Sequence, residues 1–112
     1  LARFVRPGGH VGIADVAFTR EIDSAEDAPP FLRGTWNAHW SFVHSIGWWK
    51  RAWERSGAVD VVAADPLPES RALLHDYVLA RAAADRSDEI ARAAVEDDEG
   101  LLVLFRLVGR KK

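Results

Sequence analysis

Three apolar runs alternate with segments of helical spacing, and this predicts a mixed chain of the α/β or α+β class. The runs are 10–17 (HVGIADVA), 59–65 (VDVVAAD) and 101–108 (LLVLFRLV). Each is short, rich in Val, Ile or Leu, and bounded by Gly, Pro or charged residues, which reads as a strand. The length of 112 residues suits one domain, 1–112. Hydrophobic residues at 48% and charged residues at 29% are globular proportions, which argues against disorder.

Residues 1–6 (LARFVR) read as the last turn of a helix, with Arg3 and Arg6 suited to its C-terminus and Pro7-Gly8-Gly9 stopping it. The run from His10 is apolar on both faces over most of its length, which predicts a strand covered on both sides. Residues 19–34 form a long connection, the kind that often serves as a binding loop or lid. From Thr35 to Ser56 the spacing predicts two helices broken near His44-Ser45. Trp36, Trp40 and Val43 share one face, and Ile46, Trp49 and Trp53 share another. Ser45 is the expected N-cap and Gly57 the residue just past the end.

Pro66 and Pro68 end the second run. Leu73, Leu74, Tyr77 and Val78 then predict a helix over 69–84, and a shorter one follows over 88–95. Asp97-Asp98-Glu99-Gly100 is a turn. The run 101–108 is the most apolar in the chain and is expected to be a buried strand, with a solvated basic tail at 109–112.

A net charge of −2 removes the electrostatic footprint of a nucleic-acid-binding domain. The absence of Cys excludes a disulfide framework and a thiolate metal site. No apolar run approaches the roughly 18 residues of a membrane span, and no signal segment opens the chain. The expectation is a cytoplasmic protein with no nucleic-acid or membrane partner. Methionine is absent even from position 1, so a fragment of a longer chain is expected, initiator processing being the alternative.

The stretch Arg3-Phe4-Val5-Arg6-Pro7-Gly8-Gly9-His10-Val11-Gly12-Ile13 resembles the segment entering the fifth strand of class I S-adenosylmethionine-dependent methyltransferases. Phe42-Val43-His44-Ser45, followed by Trp48-Trp49-Lys50-Arg51-Ala52-Trp53-Glu54-Arg55-Ser56-Gly57, is similar to the helix before the sixth strand in members acting on small molecules. Residues 100–112 resemble the family's last strand and basic terminus. The resemblance covers the whole chain as the C-terminal half of such a domain. It implies a partial Rossmann-like sheet of three strands (10–17, 59–65, 101–108), with 101–108 central and antiparallel. It also implies S-adenosyl-L-methionine as the cofactor of the longer protein.

The family's glycine-rich loop and its ribose-binding acidic residue are missing here. Gly8-Gly9 cannot replace the loop, because the pair precedes a strand whereas the cofactor turn follows one. The chain alone is therefore not expected to bind cofactor or to be active. Strand 10–17 would lose a neighbour, and an apolar edge with free backbone groups invites self-association with another copy.

The candidate substrate-side residues are Asp15, Phe18, Trp36, Trp40 and His44. Asp15 stands near the carboxyl end of a strand, where open sheets place ligands; the alternative is a polar edge residue or a cap on the following loop. Trp36 and Trp40 could line a pocket or join the core, whereas Trp49 and Trp53 read as core. His44 is chemically suited to act as a general base at neutral pH, and a local helix-end hydrogen bond would explain it as well. His39 and His44 do not share a helical face, and the sequence nominates no third ligand, so no metal site is expected. Two functions remain open: the substrate-side portion of a small-molecule methyltransferase, or a self-contained, non-enzymatic α+β binding or dimerisation domain.

Overall fold

The computed structural model describes residues 2–33, 36, 40, 42–84, 89–97 and 100–112. A 3₁₀ turn at Ala2–Phe4 leads through Gly8, which has a left-handed φ of 83°, into strand β1 (His10–Phe18). A 3₁₀ turn at Ala25–Asp27 and a single helical turn, α1 (Pro30–Arg33), punctuate the connection. Helix α2 (Ile46–Arg55) precedes β2 (Val59–Pro66). Helices α3 (Ser70–Ala83) and α4 (Glu89–Glu96) precede β3 (Leu102–Lys111). Of the two helices expected over 35–56, α2 is the second. Most of the first lies outside the described residues.

The three strands form a small antiparallel sheet in the order β1-β3-β2, flanked by helices. This corrects the partial Rossmann-like α/β class, because neither ladder is parallel. The physical reason lies in the connections. A single crossover helix returns the chain for a parallel neighbour. Two packed helices instead separate β2 from β3, and β3 starts beside the point where β2 ends: Pro66 pairs with Phe105, and Leu67 N–H donates to Leu104 C=O at 2.9 Å. The strand that follows must run back along β2.

Side chains alternate across the sheet and build one core on each face. On one face Ala17, Val103, Phe105 and Leu107 are buried under α2, whose Ile46, Trp49 and Trp53 pack against them. On the other, Phe18 and Leu102 join Ile22, Ala28, Leu32, Trp40, Leu74, Ala93 and Leu101. That second core covers only one end of its face. Gly12, Ala14 and Arg106 stay exposed, so β1 is not covered on both sides as its composition suggested. The connection 19–34 is not a lid over the sheet either, since Ile22, Ala28 and Leu32 lie in the core.

The basic tail is also not solvated coil. β3 runs on to Lys111, and Gly8 N–H donates to Lys111 C=O at 2.8 Å. Gly109 makes this continuation feasible. A Cβ there would sit 2.9 Å from Val59 Cγ2 and 3.2 Å from the Trp53 ring. Only a residue without a side chain lets β3 pass this close.

Candidate functional site

The end of β1 meets the start of α2. Phe18 N–H donates to His44 C=O at 3.0 Å, and Phe18 and Ser45 form an isolated parallel bridge. Ser45 is in extended conformation and caps α2, its hydroxyl accepting from Trp48 N–H at 3.2 Å. A serine before an amphipathic run is the usual device for satisfying an orphan amide at a helix start.

Glu21, three residues beyond the strand, completes the junction. Its Oε1 accepts from Ser45 N–H at 2.7 Å, and its Oε2 lies 2.9 Å from His44 Nδ1. One carboxylate therefore ties the loop after β1 to two successive residues at the mouth of α2. The helix dipole favours a negative charge there. Partial burial is the largest single influence on Glu21 and opposes its ionisation. The hydrogen bonds with His44 and Ser45, together with the charge interaction with His44, outweigh it and hold the carboxyl below its ordinary value.

An ionised carboxylate can only accept, so His44 Nδ1 carries the hydrogen, and in the neutral ring Nε2 has the lone pair. The imidazole lies flat on the Trp48 indole, with centroids 3.6 Å apart and 9° between planes. Trp49 meets the same ring edge-on at 6.3 Å. The His44 and Glu21 side chains retain 21% and 26% of their exposure. The pair is thus held from three sides while staying open to solvent, a geometry suited to passing a proton.

The sequence-nominated residues divide into three groups. His44 lies at the site. Phe18 and Trp40 are buried at 0% and 1% exposure and stack with centroids 6.1 Å apart, while half-buried Trp36 stacks on Phe18 at 6.5 Å. These aromatics back the junction from within the core, next to His44 through the Phe18 backbone. Asp15 is exposed, and its carboxylate accepts from Val16 N–H at 2.7 Å rather than turning to His44. His39 lies outside the described residues.

Sequence reasoning missed Glu21 and Trp48. A usable signal existed for Glu21: it is the first acid past an apolar strand, in a loop that must return to an expected Ser45 cap. Among the described residues, no group of three or more His, Asp or Glu is placed to hold a metal ion. No helix among them is long and apolar enough to cross a membrane.

The glycine pair before β1 offers no cradle for a phosphate or nucleotide. Gly8 N–H is taken by Lys111 C=O and Gly9 N–H by Arg6 C=O at 2.9 Å. A Cβ on Gly9 would already lie 2.8 Å from Val5 Cγ1. A cleft of about 520 Å³ lies away from the Glu21–His44 pair, between α3, α4 and the start of β3. Its buried polar groups are already engaged: Ser70 Oγ accepts from Leu104 N–H, and the Asp97 carboxylate accepts from Leu101 and Leu102 N–H, each at 2.8 Å. The rest of its lining mixes apolar side chains with Arg71 and His75. No family model, no curated protein and no solved structure matches this chain.

Proposed function

We propose that the chain is the substrate-side portion of an S-adenosylmethionine-dependent methyltransferase acting on a small molecule, with His44 as its general base. The observation that carries this reading is the Glu21–His44 pair stacked on Trp48. The resemblance of residues 3–13 and 42–57 to such enzymes supplies the reaction class.

The residues present do not fit the cofactor. The glycine turn and ribose-binding acid are absent, and the Gly8 and Gly9 amides are spent inside the fold. Cofactor binding belongs to a longer polypeptide of which this chain is one part.

The chain's own residues have a narrower task. His44 Nε2 accepts the proton of a substrate hydroxyl or amine as that group becomes nucleophilic. Glu21 holds Nδ1–H, fixes the tautomer and stabilises the imidazolium that forms, and Trp48 keeps the ring from turning. A positioned base of this kind is worth roughly 10²–10⁴ in rate.

The test is calorimetric titration of S-adenosylhomocysteine into the 112-residue chain and into the longer polypeptide encoded by its reading frame. Binding to the longer form alone is expected. Methyl transfer by that form to small hydroxy- or amino-compounds should fall roughly 10²-fold or more in H44Q. A longer form that binds no S-adenosylhomocysteine contradicts the reading. It would favour the rival, a non-enzymatic α+β binding or dimerisation domain, to which the open edge of β1 lends support.

A further inference from the structure

We infer that the outer edge of β1 is a pairing site for a second copy of this chain, guarded by the Asp15 carboxylate. The inference concerns the 112-residue chain by itself, because a longer methyltransferase would set a strand of its own on this edge, and it rests on where the backbone groups of β1 point. Thr19 N–H donates to Leu101 C=O, and Gly9 C=O accepts from Lys111 N–H, both toward β3. Phe18 N–H points the other way, to His44 C=O. Backbone groups alternate sides along a strand. The N–H and C=O of His10, Gly12, Ala14 and Val16 therefore all face outward. Among the described residues no strand lies on that side of residues 10–17.

The edge is ready to pair. Its ladder with β3 is unbroken over nine residue pairs, from His10–Arg110 to Phe18–Leu102, so no bulge bends it away. It holds no Pro, Lys or Arg. Its end already accepts a partner, the parallel bridge to Ser45. One device stands in the way: the Asp15 carboxylate curls onto the outward Val16 N–H at 2.7 Å and occupies a donor that an incoming strand would need. Inward charges and blocked amides are how natural edges resist association.

A second copy fits this edge in register and without opposing its charges. A two-fold axis at Ile13 places Gly12 opposite the partner's Ala14 and His10 opposite the partner's Val16. The small exposed residues Gly12 and Ala14 let the two backbones approach. Asp15, the only acid on the strand, then faces the partner's Val11. The two Asp15 carboxylates stand four residues apart along the ladder, about 14 Å, beyond a Debye length of about 8 Å at physiological salt. The product is one six-stranded antiparallel sheet in the order β2-β3-β1-β1-β3-β2.

The experiment is sedimentation of the 112-residue chain over a concentration series, with amide hydrogen exchange at each concentration. A monomer–dimer equilibrium is expected, in which the Gly12 and Ala14 amides become protected as dimer forms. Those of Ile13 and Asp15, bonded to β3, are protected throughout. D15A should tighten the dimer about fivefold by freeing Val16 N–H. A14P removes an outward amide without costing a β1–β3 bond and should weaken the dimer at least about tenfold, with circular dichroism confirming the fold. Wild type and D15A that stay monomeric at every concentration would overturn the inference. So would a dimer whose Gly12 and Ala14 amides exchange freely, or protection of those amides by another segment of a longer polypeptide.

Discussion

The sheet has two outer strands, and they are finished differently. β2 carries a register shift between Val61 and Ala63, ends on Pro66, and is laced to its neighbours by charge. Its Asp65 meets Arg106 at 2.6 Å, and Asp60 lies 3.6 Å from Lys112. β1 has none of these features except a single carboxylate folded onto its own backbone. The Glu21–His44–Trp48 constellation also sits at the end of β1, where α2 begins. A bulge, a proline and edge charges are what a strand exposed to water needs. Their concentration on β2 marks that flank as finished surface. The β1 flank is where this chain meets something else, whether a substrate at its end or another backbone along its side.

Substitutions sharpen that contrast, and the largest effect should fall behind the β1 site. Phe18→Ala removes a fully buried ring that stacks on Trp36 and Trp40, and should cost about 3–5 kcal/mol in urea unfolding. A loss below 1 kcal/mol would mean that this end of β1 is not packed as described. On the β2 side, Gly109→Ala forces a methyl against Val59 and Trp53, and a loss of about 1–3 kcal/mol is expected in the same assay.

Glu21→Gln should cost about 1 kcal/mol, the worth of charge-assisted bonds discounted for solvent exposure. Its pH signature separates it from a packing defect. Glu21 titrates lower in the folded chain than unfolded, so its stabilisation is present above the unfolded glutamate value, 4.5, and is lost as pH falls through the lower folded value. The wild type should therefore lose its advantage over E21Q in acid. A gap that persists at low pH would assign the effect to packing. The smallest effect is expected from Asp65→Asn. Asp65 is also held low by its hydrogen bond to Arg106, but the pair is exposed, so the urea midpoint at neutral pH should not move measurably. A clear shift would show that the β2 edge depends on this pair for more than surface charge.

What the sequence made legible was local. The strands lie on the apolar β-branched runs, α2 begins at its Ser45 cap, and Gly57, with φ of 71°, ends it as a left-handed residue. What it hid depended on distant partners. Composition suggested that β1 was covered on both faces, because Gly12 and Ala14 count as apolar whether or not anything packs on them. The Rossmann-like class came from the resemblance to a larger domain, whereas the strands present form only a small antiparallel sheet flanked by helices. Lys111 looked like tail because its strand partner, Val59, is 52 residues away. Of the site, His44 was readable from residue type alone. Glu21 was not, because its role exists only once the connection folds back 24 residues to Ser45. Phe18 and Trp40 were read as substrate-side from their places at the strand end and in the segment after the long loop, and the fold buries both in the core behind the site.

The central claim is that Glu21 holds the hydrogen of the neutral His44 ring on Nδ1, which puts the lone pair on Nε2. Long-range ¹H–¹⁵N correlation spectra of the His44 imidazole at neutral pH report this directly. The account predicts a dominant Nδ1–H tautomer in the wild type that loses its dominance in E21Q. A wild-type ring protonated on Nε2, or a tautomer balance unchanged by E21Q, would contradict it.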